Sequence, residues 1–382
     1  MPLTTAQILE NLVAFDTTSR NANLDLIAYA MALLEHNGAT CRLTYDDTKS
    51  KANLLATFGD VSVPGIVLSG HTDVVPVDGQ DWTTEPFFLT ERDGKYYGRG
   101  TCDMKGFIAS VLAQAPNMQR YAEKRPVHIA LSYDEEVGCI GVQRLLADLT
   151  EQLPVLPAAC IVGEPTGMKP MAGHKGIMDV CCHVHGKAAH SSMTHVGVSA
   201  IENAAKLIAF LHQMAERMAT EGPFDHNYDP PYTTMHAGMI QGGTAPNIIA
   251  QSCKFMFEFR PVAAVDPRAL LEEIKAYAEA ELAPKMRQRG VEAPFSFDVE
   301  CEVPGMDTPT DSEIVRVVCQ LTGANGVAHA SFATEGGRFQ KVGIPTVICG
   351  PGHIEQAHKP DEFVSKAQLV ACDDFLKRLL TM

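Results

Sequence analysis

The sequence predicts an α/β protein in which a mainly parallel sheet with helices on both faces is interrupted by an inserted ferredoxin-like βαββαβ domain. Three observations carry this. Over residues 1–174 and again over 305–382, short apolar runs that read as buried strands alternate with helical spacings, the pattern of an α/β layer fold. Over residues 175–304 the order of predicted elements changes to β-α-β-β-α-β. A chain of 382 residues is also long for one core, so two domains are expected.

The elements follow in order. Ile8, Leu9, Leu12, Val13 and Phe15 recur at helical spacing over 5–16, and a second helix over Leu24–His36 stops at Asn37-Gly38. Strands are expected near Thr40–Tyr45, Asn53–Phe58 and Ile66–Leu68. A helix over Phe107–Met118 follows, which Pro116 can end early. Val127–Leu131 and Cys160–Val162 are further apolar runs. In the insert, a strand over Ile177–Val184 precedes a helix over Val198–Met218, whose apolar residues fall three and four apart. Strands over Thr233–Ile240 and Ile249–Phe259, a helix from Pro267 to Arg287 and a strand over Phe295–Val303 complete it. A helix over Ser312–Leu321, a strand over Thr346–Cys349 and a helix over Lys366–Leu380 restore the α/β pattern.

Composition excludes several classes. A formal net charge of -15 argues against nucleic acid and anionic membrane surfaces as partners. No apolar run approaches the ~18 residues of a membrane span, and the first residues carry neither a basic nor an apolar signal segment. Eleven cysteines without a C-x-x-C pair read as free thiols of a reducing cytoplasm.

Metal-type side chains follow the ends of the apolar runs. His71 comes after Ile66–Leu68, Glu135 and Glu136 after Val127–Leu131, Glu164 after Cys160–Val162, and His358 after the Gly/Pro loop beyond Cys349. Ligands bind beyond the carboxyl ends of parallel strands, and two histidines with several carboxylates suit a pair of divalent cations. Asp103 stands in a Gly-rich turn before a helix, where it can bridge metals or merely cap the helix. Asp73 is two residues past His71, on the same side of an extended chain, and can fix its ring, although the pair can also be an ordinary polar turn. Glu135 and Glu136 face opposite ways if extended, so one can hold a metal while the other takes a proton from water. The alternative for that pair is a solvated acidic turn.

The segments Gly70-His71-Thr72-Asp73-Val74-Val75-Pro76, Gly98-Arg99-Gly100-Thr101-Cys102-Asp103-Met104-Lys105-Gly106, Asp134-Glu135-Glu136 and Gly163-Glu164-Pro165-Thr166 resemble the dinuclear-zinc amidohydrolase family, over nearly the whole chain. The resemblance implies a zinc-peptidase-like catalytic domain and an inserted lid that also dimerises. It implies two Zn2+ per subunit, with Co2+ or Mn2+ able to substitute. His71 and Glu164 would hold one, Glu136 and His358 the other, with Asp103 bridging, Asp73 orienting His71 and Glu135 as general base. The peptide after the bridging aspartate is often cis in this family. Gly186–Ser192 is similar to the segment that lends a histidine, here His190, to the partner subunit's site; the alternative is a surface histidine. Gly242–Asn247 and Phe257–Pro261 are similar to lid segments that meet a substrate carboxylate, which points to Asn247 and Arg260, although Arg260 can also be an ion-pair partner. His174-Lys175-Gly176, Thr334–Arg338 and Gly350–Glu362 are similar to the branch that removes the acetyl group from N2-acetylornithine; Glu335, by its charge and the two flexible glycines after it, is expected against the substrate ammonium, and Gly336 is expected among the substrate-binding residues. Desuccinylation of succinyl-diaminopimelate and broader acylamino-acid hydrolysis are the neighbouring readings. A non-catalytic acylamino-acid sensor is the remote one, since a pure binder has no use for a general base.

Overall fold

The computed structural model describes residues 2–382, and the chain divides into two compact units. The first runs up to His174 and resumes with Met306–His329 and Thr334–Met382. The second comprises Lys175–Gly305 with Ala330–Ala333.

In the first unit, four strands at the centre of a nine-stranded sheet are mutually parallel, in the order Val127–Ser132, Ile66–His71, Ala159–Pro165, Thr346–Gly350. Every residue of these four strands is buried, which is why they read as unbroken apolar runs rather than as alternation. Antiparallel strands flank them: Ala52–Phe58 and Thr40–Tyr45 on one side, Met171–His174 and Met306–Asp307 on the other. Parallel pairing is thus confined to the centre.

The helices fall into two packed groups, as two covered faces require. Thr5–Ala14, Lys105–Ala113 and Lys366–Leu379 pack on one another, and Gly141–Gln152 packs on Gly336–Lys341. The first helix starts on a capping box between Thr4 and Gln7 and buries Ile8, Leu9, Leu12 and Val13. Each such aliphatic side chain contributes about 1.5–3 kcal/mol. The helix predicted over Phe107–Met118 is two helices: Lys105–Ala113 ends, and Pro116 sits in the first turn of Ala115–Tyr121, where its missing N–H is harmless.

The second unit is a four-stranded antiparallel sheet, ordered Thr234–Gly242, Ser252–Arg260, Ile177–His185, Phe295–Val303. With the helix Ala200–Glu221 and the helical run from Pro267 to Arg287, this is the ferredoxin-like arrangement. Met178, Val180, Cys182 and Val184 alternate inward with Phe255, Phe257 and Phe259 beneath the helices. The run from Pro267 widens into a π-turn at Ala278–Leu282 because Pro284 has no N–H to give and would collide with the carbonyl four residues back.

Candidate metal centre

The predicted ligands converge at the carboxyl ends of the parallel strands. His71 and Glu164 lie at the ends of adjacent strands, and both are buried. Asp134 and His358 hold positive φ (54° and 64°), so the loops after Ser132 and Gly350 turn sharply enough to bring Glu136 and His358 back over the sheet. Asp103 precedes the helix Lys105–Ala113 but makes no cap bond; Met104 is the N-cap, and the Asp103–Met104 peptide is cis.

The two oxygens of Asp103 face different histidines. Oδ1 lies 3.0 Å from His71 Nε2, and Oδ2 lies 3.3 Å from His358 Nε2. Glu164 Oε1 is 3.7 Å from His71 Nε2, and Glu136 Oε2 is 3.1 Å from His358 Nε2. Ligand-type atoms of His71, Asp103 and Glu136, and of His71, Glu135 and Glu164, come within 4.8 Å of one another. Glu136 Oε1 is buried without a hydrogen-bond partner, a strong acceptor awaiting a cation.

Charge points the same way. Burial pushes the carboxyls of Glu135 and Glu164 well above the glutamate range, and burial together with the Asp103 charge holds Glu136 up to about 7. Hydrogen bonds to Asp103 and Glu136 raise His358 to about 10. Burial opposes protonation of His71, yet Asp103, Glu164 and Glu135 outweigh it and the ring is raised well above its ordinary value. Burial likewise works against ionised Asp103, but His358 and His71 reverse it and the net shift is downward. The three glutamates and the two imidazoles around ionised Asp103 thus favour bound protons, and two divalent ions would balance the charge of the four carboxylates. The donor set fits.

Other expected site residues have different surroundings. His71 Nδ1 donates to the backbone carbonyl of Asp73 at 2.9 Å, while the Asp73 carboxylate lies 3.7 Å away. That carboxylate accepts instead from the N–H groups of Glu135 and Glu136 (3.0 and 3.2 Å) and from Ser19 Oγ at 2.7 Å. Asp73 therefore fixes the His71 tautomer with its main chain and the acidic turn with its side chain.

Glu335 is not available to a substrate ammonium. It is fully buried, and its carboxylate accepts from Ser132 Oγ and from Ser69 Oγ (3.2 Å). The helix Gly336–Lys341 begins immediately after it and turns it beneath the sheet, with Gly336 pressed toward Met306 Sδ. The Glu335 carboxylate is thus satisfied by buried hydroxyls rather than facing open space.

His190, Asn247 and Arg260 belong to the second unit. His190 and Asn247 are exposed on neighbouring segments joined by Ser191 N–H to Asn247 O at 3.0 Å. Ser192 N–H donates to His190 Nδ1 at 3.3 Å, which leaves the ring proton on Nε2. Arg260 is half-buried and pairs with Glu258 at 2.8 Å.

Several partners of the site escape sequence reasoning. Glu362 accepts the N–H groups of Cys102 and Asp103 (2.9 and 3.0 Å) on one oxygen and Arg99 Nη1 on the other at 2.6 Å. Gln80 links Arg99 Nη2 to the carbonyl of His358. A buried ion pair thus fixes the Asp103 turn and the His358 loop together. The Arg99–Glu362 separation in sequence hides it.

A sheet with a parallel centre, with histidines and carboxylates gathered at the carboxyl ends of its parallel strands, defines a metal-dependent hydrolase. Residues 67–382 match the family described as Peptidase family M20/M25/M40, and the chain belongs to that family. It is 36% identical over 380 residues to "Acetylornithine deacetylase" of Myxococcus xanthus, covering 97% of this chain and 95% of that protein. It is 33% identical over 367 residues to the protein of the same name from Pasteurella multocida, covering 96% and 92%. The fold is shared with a metallo-carboxypeptidase of Sulfolobus solfataricus (TM-score 0.78, 17% identity, 98% of each chain). It is also shared with a Bacillus subtilis protein described as a dinuclear metal binding peptidase (TM-score 0.69, 15% identity, 98% and 96% covered).

Proposed function

We propose that this chain hydrolyses N2-acetyl-L-ornithine to L-ornithine and acetate, a step of arginine biosynthesis, at two zinc ions that Co2+ or Mn2+ can replace. The observation that carries the metal reading is Asp103, whose two oxygens face separate His–Glu pairs. His71 and Glu164 would hold one ion, Glu136 and His358 the other, with Asp103 between them. Similarity over nearly the full chain to acetylornithine deacetylases supports the substrate.

When bound, the metals supply Lewis-acid polarisation and make a water acidic near neutral pH. Glu135, held by Asp73 through its N–H, takes a proton from the attacking water and returns it to the leaving amine. Arg260, exchanging Glu258 for the substrate carboxylate, and Asn247 orient the amino acid. The partner's His190 donates from Nε2 to the developing oxyanion.

The second unit, 175–304 in the sequence reading, is in this proposal the lid and dimer contact. Its sheet ends on Thr234–Gly242, whose free edge and exposed Met239 and Ile240 favour pairing with a second copy. All eleven cysteines are free, which fits a reducing cytoplasm. Zinc-loaded turnover of N-acetylornithine, N-succinyl-diaminopimelate and N-acetylmethionine, with a chelator control, tests the reading. Chelator-sensitive kcat/KM highest for acetylornithine is expected; preference for another substrate would reassign it, and no turnover would favour a sensor. Glu135→Ala should keep its metal and lose at least ~100-fold in kcat.

A further inference from the structure

We infer that Cys139 is a positioning residue for Glu135: its thiol holds one carboxylate oxygen so that the other is free to meet the reacting water. The inference rests on Glu135 being the general base. Cys139 Sγ lies 3.3 Å from Glu135 Oε1 and is buried. The two residues close a tight turn in which Glu135 O accepts the N–H groups of both Gly138 and Cys139 at 2.9 Å. Cys139 holds positive φ (51°), and Ile140 N–H and Gly141 N–H return to Asp134 O and Tyr133 O. Cys139 therefore grips Glu135 at both ends, main chain to carbonyl and thiol to carboxylate.

Direction follows from chemistry. A general base must be ionised to take a proton, and an ionised carboxylate only accepts, so the thiol donates to it. Burial, with Glu135 and Glu335 close by, keeps the thiol protonated. A carboxylate on a freely turning side chain would divide its time among rotamers, and misplacement by an ångström can cost on the order of 100-fold in rate. A weak S–H donor fixes orientation while leaving the opposite oxygen unencumbered.

The test compares Cys139→Ala, Cys139→Ser, Glu135→Ala and the Cys139→Ala/Glu135→Ala pair as zinc-loaded full-length protein turning over N-acetylornithine. Cys139→Ala should lower kcat on the order of 10-fold, with KM, metal content and Tm unchanged. Cys139→Ser, which restores a donor, should return to within about 3-fold of the parent. Adding Cys139→Ala to Glu135→Ala should cost nothing more, because the group it positions is gone. Full turnover in Cys139→Ala overturns the inference. So does a serine variant as slow as alanine, or a loss that tracks metal or Tm, since each marks Cys139 as packing only. Those results leave an inactive Glu135→Ala, and the base reading, standing; an active Glu135→Ala removes both.

Discussion

Asp103 and its neighbours make the metal-free site a proton store. Glu136 is held at about 7 against an ordinary 4.5, and burial raises Glu135 and Glu164 as well. Between pH 5 and 7 the folded, metal-free protein therefore binds more protons at this site than the unfolded chain does. Stability contributed there is present at low pH and lost as pH rises through the folded values. Metal binding displaces those protons. The Tm gained on adding zinc should accordingly grow from pH 5 to pH 7, read by scanning calorimetry with and without chelator. A gain that is flat in pH would contradict the assignment. Ligand types were legible in the sequence because all but Asp103, which stands in a Gly-rich turn, follow an apolar run. Glu335 was not, because its burial beneath the sheet depends on Ser69 and Ser132, distant in sequence, and on a helix too short to show a period.

The strand carrying Glu164 tolerates no side chain one residue earlier. A Cβ on Gly163 would lie 2.0 Å from the ring of Phe107, and one on Gly350 of the adjacent strand would lie 1.9 Å from Gly163 O. The sheet and the helix beneath it touch through glycine alone at this point. Gly163→Ala should destabilise by about 1–3 kcal/mol or more, seen as a lower urea midpoint, and Phe107→Leu in the same chain should recover part of it. Additivity of the two changes would rule out the contact. Long periodic helices and buried strands were readable from spacing. The helix Gly141–Gln152 and the small sheet of Thr90–Arg92, Lys95–Tyr97 and Phe363–Ser365 were not foreseen. The three-residue strands are fixed by their partners, since so short a run carries no periodicity of its own.

At the scale of the whole molecule, two copies would share each active site through the partner's His190. Glu135→Ala and His190→Ala proteins, each nearly inactive, should regain turnover when mixed and allowed to exchange. A mixed dimer keeps one site with an intact Glu135 and a partner's intact His190. No recovery, with exchange verified by tagged copies, would remove His190 from that role. Ile240→Lys should shift the protein toward monomer in analytical ultracentrifugation if Thr234–Gly242 is the pairing edge. The ladder also shows where the second unit departs. His174 and Met306 are partners on one rung, so the long excursion over 175–305 leaves and re-enters the first sheet at one point, apart from the short return at Ala330–Ala333. To that sheet, residues 175–305 are an enlarged hairpin loop. Loop-closure entropy grows only with the logarithm of loop length, so this segment can lengthen, shorten or diverge with little effect on the register of the strands that carry the ligands. If Asn247 and Arg260 orient the substrate as proposed, its choice can drift in one part of the gene while the residues proposed to hold the metals are kept in the other.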